Sequence, residues 1–193
     1  LPKLPAGVEV ELVPVLFAGL LNHHGQMGPA EIAPKRRFTY RFIVWRARRM
    51  GLPLKVPPAH PFNPLSALRL VIAAGAREPA VRTAFDFVWG QGRDVSDPAV
   101  LADLARELGV TNMEAALSDP NVKQTLRRNT EGAIEQGVFG VPTFVVGQEL
   151  FWGQDSFEMV LDYLRDPAPF NDAQMRSIDS LPVGVTRPRA TPT

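Results

Sequence analysis

The run Gly137-Val-Phe-Gly-Val-Pro-Thr-Phe-Val-Val-Gly147 is the most informative stretch of this sequence. Pro142 has no main-chain N–H to give to a ladder, so it must sit at the start or edge of a strand. Two short apolar runs follow, Thr143–Val146 and Glu149–Trp152, and only two residues separate them. This spacing predicts a compact β-hairpin.

The peptide bond before Pro142 bears directly on function. An X-Pro bond is cis in only about 5 to 6% of folded cases, but tight turns at strand entry use that isomer. A cis bond would turn the N–H and C=O of Val141 sideways, where they could pair with an extended peptide. The fragment alone leaves both isomers open.

Downstream of the hairpin, Asp155 and Glu158 predict a cap for an amphipathic helix that reaches Leu164. After Asp166 proline recurs and the apolar periodicity fades, which predicts a mobile tail.

Upstream, Val8 to Leu16 begins with alternating apolar and acidic residues and predicts a strand. A loop is predicted over Asn22 to Pro34, and then a helix over Lys35 to Met50 with three aromatic residues on one side, Phe38, Phe42 and Trp45. Further helices are predicted at Leu65–Gly75, Pro79–Trp89, Ala99–Leu108 and Asp119–Gln136. Thr111 and Glu114 form a capping box that predicts one more short helix. A long helical block therefore separates one early strand from the hairpin.

Composition excludes several classes of protein. The 193 residues are 45% apolar and 21% charged, which fits one globular domain or one domain with a large insertion. The 21 Lys and Arg against 20 Asp and Glu leave a charge of +1, so neither nucleic acid nor a membrane is an expected partner. The absence of cysteine excludes disulfides, thiolate metal sites and a cysteine nucleophile. His23 and His24 have no third ligand in sight, so we expect a loop surface and no metal there.

The run before the hairpin and the motif Phe151-Trp-Gly-Gln-Asp155 after it resemble the C-terminal signature of the 2-hydroxychromene-2-carboxylate isomerases. That family groups with the kappa-class glutathione transferases in the DsbA-like branch of the thioredoxin fold. The similarity covers about Val8 to Leu164. Its other motifs are Gly28-Pro29, Pro34–Arg37, Arg48–Leu54, Pro61–Leu65, Gly90–Pro98 and Thr130-Glu131.

The resemblance implies an α/β protein, a thioredoxin-like fold with a large inserted all-helical domain. Residues 1–21 and 138–165 would form the thioredoxin-like domain, 22–137 the insertion and 166–193 a flexible tail. The family also has a first strand with a Ser-Pro-Tyr type motif, whose serine supports the glutathione thiolate. That serine would lie upstream of Leu1, so no catalytic residue is assigned here, and we expect this sequence to be part of a longer enzyme.

The function implied is a glutathione-dependent isomerase of 2-hydroxychromene-2-carboxylate-type intermediates of aromatic degradation, acting by reversible thiol addition. Glutathione would be the cofactor and a small aromatic carboxylic acid the substrate. A kappa-like transferase and a noncatalytic glutathione-binding relative are the alternatives. The resemblance also implies a homodimer. No signal peptide and no apolar stretch near the ~20 residues of a membrane span is apparent, so we expect a cytoplasmic protein.

The resemblance also implies the site residues by position. The glutathione-binding residues would be Val141 and a cis Pro142 for the cysteinyl main chain, Trp152, Gly153, Gln154 and Asp155 for the γ-glutamyl end, and Gln26 as a weaker contact. The substrate-binding residues would be Lys35, Arg36, His60, Phe62 and Asn63. A helix start beside Asp155 suits this role, because free N–H groups meet a carboxylate while the Asp meets an ammonium group.

Each of these residues also has a structural reading that the sequence leaves open. Asp155 and Asn63 would then be helix caps only, and Trp152 a core residue. The cations Lys35, Arg36 and Arg37 would form a solvated helix face.

Overall fold

The computed structural model describes residues 4–186, which form two compact units. Residues 9–141 make up the helical unit, and residues 4–8 with 142–186 make up the hairpin unit. The domain boundaries expected from the sequence stay a prediction. No helix within residues 4–186 is long and apolar enough to cross a membrane.

The helical unit contains seven α-helices within the described chain. They are α1 (Phe17–His24), α2 (Ala33–Met50), α3 (Leu65–Ala73), α4 (Glu78–Phe85), α5 (Pro98–Glu107), α6 (Met113–Ser118) and α7 (Pro120–Glu135). The predicted helices correspond to α2 to α7 and are confirmed with shifted ends, whereas α1 was not predicted. Beyond α4 the chain forms a π-helical turn, Asp86–Gly90, instead of continuing the α-helix to Trp89.

Caps explain where two of these helices begin. The side chain of Asp97 accepts hydrogen bonds from Ala99 N and Val100 N, and that of Asp119 accepts one from Asn121 N. Each Asp precedes a proline, whose missing N–H is not needed in the first turn of a helix. Both starts were predicted from these dipeptides.

The apolar core of the helical unit lies between α3, α5 and the π-helical turn. Leu70, Phe87 and Leu104 are its largest fully buried side chains. The remaining buried members of this cluster are Val88, Val95, Leu101 and Ala105.

The strand predicted over Val8 to Leu16 is absent, and this prediction is wrong. The segment is irregular, and the main chain near its end, at Pro14 and Leu16, is hydrogen-bonded to side chains of α7. Thr130 Oγ1 accepts a hydrogen bond from Leu16 N at 3.0 Å, and Asn129 Nδ2 donates one to the Pro14 carbonyl at 3.1 Å. Alternation of apolar and polar residues predicts that a strand would bury one face. A strand also needs a neighbouring strand to hydrogen-bond with, and here the segment is bonded to side chains of helix α7 instead.

Two smaller predictions about loops and caps are also wrong. Asn112, not Thr111, caps α6, because its Oδ1 accepts from Ala115 N at 2.9 Å. His23 and His24 lie in the last turn of α1 and not in a loop. His24 Nε2 lies 3.1 Å from the Val138 carbonyl oxygen.

Helix α2 carries its aromatic residues on the outside. Phe38, Phe42 and Trp45 share one face as expected, but they are 69%, 40% and 53% exposed, and no residue of α2 is buried. The guanidinium groups of Arg46 and Arg49 lie over the Phe42 and Trp45 rings. Cations therefore cover part of the apolar surface that this helix leaves open.

The hairpin unit confirms the predicted hairpin. Strands β1 (Thr143–Val146) and β2 (Glu149–Trp152) pair antiparallel, with Thr143 opposite Trp152. They form the one sheet of the described residues. Helix α8 (Phe157–Arg165) follows, with Val160 buried, as is Phe151 of β2.

The segment predicted to be a flexible tail contains regular structure. A 3₁₀ turn spans Ala168–Asn171, and helix α9 spans Ala173–Asp179. Phe170 packs edge-on against Tyr163 and Phe151, so burial of an aromatic ring holds the start of this segment. Residues 187–193 of the predicted tail lie outside the described residues.

We expect Thr130→Val to lower the free energy of unfolding by roughly 1 to 3 kcal/mol, because it strands the Leu16 N–H and removes the bond from Thr130 Oγ1 to the Leu126 carbonyl. Urea denaturation measures the loss. Thr125→Val is the matched control: its hydroxyl accepts an exposed bond from Arg128, and its replacement should cost less than about 0.5 kcal/mol. Equal effects of the two changes would contradict a role for Thr130 in holding the Leu16 segment.

Candidate functional site

The junction between β2 and α8 is the first candidate site. Gly153 follows β2 with φ 92° and ψ 157°, which favours glycine. Its N–H donates to the Pro142 carbonyl at 2.8 Å, so the junction is tied to the entrance of the hairpin. A 3₁₀ turn, Gln154–Ser156, then leads into α8, and Ser156 Oγ donates to the Gly153 carbonyl at 2.8 Å.

Asp155 is not a helix cap, and the prediction that it caps α8 is wrong. The residue lies inside the 3₁₀ turn, and Ser156 precedes the first residue of α8. The carboxylate is exposed and has no hydrogen bond or ion pair within residues 4–186. A Cβ added to Gly153 would lie 2.5 Å from Asp155 Oδ1, so the carboxylate occupies the space above this glycine. The junction thus offers an unpaired carboxylate next to a residue that has no side chain. This arrangement suits a ligand that carries an ammonium group.

Trp152 and Gln154 flank this carboxylate at the surface. Trp152 is 55% exposed, so the alternative reading of this ring as a core residue is wrong. Gln154 is also exposed. An exposed indole next to a free carboxylate gives the junction a flat apolar wall and an anionic group.

The bond between Val141 and Pro142 is trans, and the prediction of a cis bond is wrong. Within the described residues the cis bond is His60–Pro61. The trans isomer is favoured by about 0.5 to 1 kcal/mol for X-Pro bonds, and the trans chain already directs the Pro142 carbonyl to the Gly153 N–H. Val141 is 42% exposed.

The second candidate site is an aromatic cluster around His60 in the helical unit. The rings of Tyr40, Phe62 and Trp89 each meet the imidazole at an edge-on angle, with centroids 5.7, 5.6 and 5.2 Å away. Tyr40 Oη lies 2.5 Å from His60 Nδ1. Tyr40 comes from α2, Trp89 from the π-helical turn, and the other two residues from the segment that joins α2 to α3.

Burial sets the protonation of this cluster. It lowers the pKa of His60, because the charged imidazolium loses hydration among aromatic rings. It raises the pKa of Tyr40, and the positive charge of Arg36, one turn earlier on α2, opposes that rise. At neutral pH the cluster therefore presents a neutral imidazole bonded to a neutral phenol.

The structure brings only part of the predicted substrate set together. His60 and Phe62 are in contact, and Arg36 lies one turn from Tyr40. Lys35 is exposed in the first turn of α2.

Asn63 acts as a local cap, since its Oδ1 accepts from Leu65 N at 3.0 Å. Gln26 lies exposed in the loop after α1, and its N–H donates to the Leu21 carbonyl at 2.9 Å.

Sequence reasoning missed Tyr40 and Trp89. Tyr40 stands four residues after Arg36 on a predicted helix, so its shared face with a candidate cation was a usable signal. Trp89 had no such signal. The π-helical turn that directs its ring toward His60 is not predicted by the periodicity of apolar residues.

Comparison with known proteins agrees with this architecture. The DsbA-like thioredoxin domain matches residues 2–165. The chain belongs to the DsbA-like thioredoxin family. The predicted α/β thioredoxin-like class is confirmed at this level, although the described chain is mostly helical and has only two strands.

Within this DsbA-like family the chain is similar to two kinds of enzyme. Glutathione S-transferase kappa 2 of Caenorhabditis elegans is 25% identical over 82% of this chain and 79% of the relative. The 2-hydroxychromene-2-carboxylate isomerase of Sphingobium xenophagum is 26% identical over 85% of this chain and 89% of the relative. A solved structure of 2-hydroxychromene-2-carboxylate isomerase superposes with a TM-score of 0.70 at 26% identity, covering 81% of this chain and 80% of that one.

We expect His60 to titrate below the ordinary histidine pKa of about 6.5, because aromatic rings surround it. A histidine that is harder to protonate when folded binds fewer protons than the unfolded chain, so its contribution to stability is present at higher pH and is lost as pH falls below about 6.5. NMR titration of the three imidazoles measures this directly. Trp89→Ala should move the His60 midpoint upward; a His60 midpoint at or above about 6.5 in the parent protein would contradict the burial argument.

Proposed function

We propose that this DsbA-like protein is a glutathione-dependent isomerase of 2-hydroxychromene-2-carboxylate-type intermediates of aromatic degradation. The observation that carries the proposal is the free carboxylate of Asp155, seated above Gly153 where a side chain would clash. The residues of this junction are those that the resemblance assigns to the γ-glutamyl end of glutathione. Similarity to isomerases and to kappa transferases supports the same cofactor.

The junction would bind glutathione with its own groups. Asp155 meets the ammonium group of the γ-glutamyl end, because a carboxylate with no protein partner gains a charge-assisted hydrogen bond there. The exposed ring of Trp152 packs on the aliphatic part of the ligand, and Gln154 offers an amide. Val141 and Pro142 remain proposed contacts for the cysteinyl main chain, now in a trans geometry. When bound, glutathione supplies a thiolate that adds reversibly to an unsaturated acid.

The cluster around His60 would receive the organic substrate. Phe62 and Trp89 provide apolar walls for an aromatic ring. Arg36 and Lys35 place positive charge at the start of α2, where a substrate carboxylate can be bound. Asn63 stays a proposed substrate contact, although it already caps its own turn. Gln26 stays a proposed contact to glutathione. A homodimer in the cytoplasm also stays a prediction.

A kappa-like transferase is the second candidate. The observation that favours it is that kappa transferases match this chain at an identity and coverage close to those of the isomerases. The Asp155 junction would serve both, since each reaction begins with bound glutathione. The third alternative, a noncatalytic glutathione-binding relative, keeps this junction without turnover.

We expect Asp155→Ala to weaken glutathione binding by ~1 to 3 kcal/mol, or roughly five- to 150-fold in Kd, because the ammonium group loses its charged partner. Isothermal titration calorimetry with reduced glutathione measures the change. Glu158→Ala is the matched control: it removes an exposed carboxylate from the first turn of α8 and should leave Kd within about two-fold. An unchanged Kd for Asp155→Ala would remove this residue from the site.

Assays with two different substrates distinguish isomerase activity from transferase activity. With saturating glutathione we expect interconversion of 2-hydroxychromene-2-carboxylate and its ring-opened isomer, followed by ultraviolet absorbance, and glutathione recovered unconsumed. Consumption of glutathione on a chlorodinitrobenzene-type electrophile, without isomerisation, would assign the transferase instead. Tight glutathione binding with neither reaction would assign the noncatalytic relative.

A further inference from the structure

Helix α2 has an inner face and an outer face, and the helical unit partly covers the inner one. The inner residues are half-buried and follow helical spacing: Tyr40, Ile43, Val44 and Ala47. At about 3.6 residues per turn, Phe38, Phe42 and Trp45 lie on the opposite side of the helix, and they are exposed. The helix is therefore attached to the protein by one side and presents three aromatic rings on the other.

The three exposed rings form a continuous aromatic row along the helix. The ring centroids of Phe38 and Phe42 are 6.0 Å apart, and those of Phe42 and Trp45 are 5.9 Å apart. The guanidinium group of Arg46 lies 5.9 Å from the Phe42 centroid, and that of Arg49 lies 5.5 Å from the Trp45 centroid. The outer face of α2 therefore combines an apolar row with positive charge at close range.

The charge of α2 is concentrated and of one sign. Seven of the 21 Lys and Arg residues lie in this helix, and none of the 20 Asp and Glu residues does. The overall charge of +1, from which no membrane partner is expected, is an average over the whole chain and does not describe this face. Helical spacing places Arg41 and Arg48, both exposed, along one side of the aromatic row and Arg46 along the other. The face is therefore complementary to an anionic partner that also takes up apolar rings.

A second copy of the chain and a nucleic acid fit this face less well. Two copies that met through α2 would bring the same seven cations together, and like charges that face each other destabilise an interface. A nucleobase needs a free ring face for stacking. Phe42 has the Arg46 guanidinium over its ring and is stacked with Phe38.

A bilayer surface accommodates both the rings and the charges. Aromatic rings insert between lipid headgroups, and the long aliphatic stem of arginine lets its guanidinium group stay at the level of the phosphates. The core of a protein–protein interface, by contrast, is depleted of charged residues. In α2 two guanidinium groups lie directly over the rings that would form such a core.

We propose that the outer face of α2 binds the surface of an anionic phospholipid bilayer. The aromatic row inserts among the headgroups, and the flanking arginines bond to lipid phosphates. The helix lies in the plane of the surface, and its inner face stays packed on the helical unit.

Sedimentation of the full chain with lipid vesicles tests the proposal. Vesicles in which about one lipid in three is phosphatidylglycerol and the rest phosphatidylcholine should pellet the protein, and phosphatidylcholine alone should bind it at least about ten-fold more weakly. Raising the salt from about 0.1 M to about 1 M shortens the screening length from about 10 to about 3 Å and should release the protein. Equal binding to both kinds of vesicle, or no binding to either, would overturn the inference.

Two variants separate the contribution of the charges from that of the rings. Arg41→Gln combined with Arg48→Gln should lower the partition coefficient about 25-fold, or roughly five-fold per charge. Phe42→Ser should lower it about ten-fold, because one ring less leaves water on binding. Circular dichroism checks that each variant keeps the helical content of the parent.

The matched controls lie on other helices of the same unit. Lys123→Gln combined with Arg128→Gln removes two exposed cations from α7, and Phe85→Ser removes a 64% exposed ring from α4. Both controls should bind vesicles as the parent does. Losses equal to those of the α2 variants would overturn the assignment to α2, since binding would then follow total charge and apolar surface.

Two further measurements identify the other occupants of this face. Fluorescence anisotropy follows a labelled single-stranded oligonucleotide, and light scattering gives the mass of the protein in solution. An oligonucleotide bound by a protein that does not bind vesicles would overturn the inference in favour of nucleic acid. A dimer that Phe42→Ser dissociates, in a protein that does not bind vesicles, would assign the face to a second copy.

Discussion

The π-helical turn Asp86–Gly90 is the constraint on which the helical unit and its candidate site depend. It buries Phe87 and Val88 in the core and turns the next side chain, Trp89, onto His60. A π-helical turn changes the angular spacing of side chains relative to an α-helix. One short segment can therefore direct Phe87 and Val88 into the core and Trp89 toward His60. The Lys55 N–H donates to the Trp89 carbonyl at 2.7 Å and ties the segment that carries His60 to the same turn. Core packing therefore fixes the geometry of the aromatic cluster.

The two candidate sites use opposite physical means. At the junction after β2, Asp155 is exposed, and within residues 4–186 its carboxylate has no hydrogen bond or ion pair, which leaves it available to a ligand. In the cluster, His60 and Tyr40 are half-buried, and desolvation keeps both neutral. An exposed carboxylate suits recognition of a charged ligand, whereas a cluster of neutral rings suits contact with the aromatic part of a substrate.

Sequence signals predicted the elements well where the hydrogen bonds that form an element join residues close together in the sequence. Asp-Pro dipeptides gave the starts of α5 and α7, and the two-residue gap after Val146 gave the hairpin. The same reasoning failed for the residues before Leu16, because their alternation needs a partner strand and their main chain bonds instead to Thr130, 114 residues away. It failed again at Pro142, because a resemblance transfers the identity of a residue but not the isomer of its peptide bond.

Motifs, caps and periodicity along the chain were enough to predict the family, the helical block with its hairpin, and the residues proposed to bind glutathione. The contacts between side chains that are distant in sequence, and the lack of such contacts at Asp155 within residues 4–186, depend on how the chain packs. Asp155 reads equally well as a cap until the start of α8 at Phe157 shows that it caps nothing. Tyr40, His60 and Trp89 come from three segments spread over 50 residues, and only the packing of those segments brings their rings together, which no local pattern encodes.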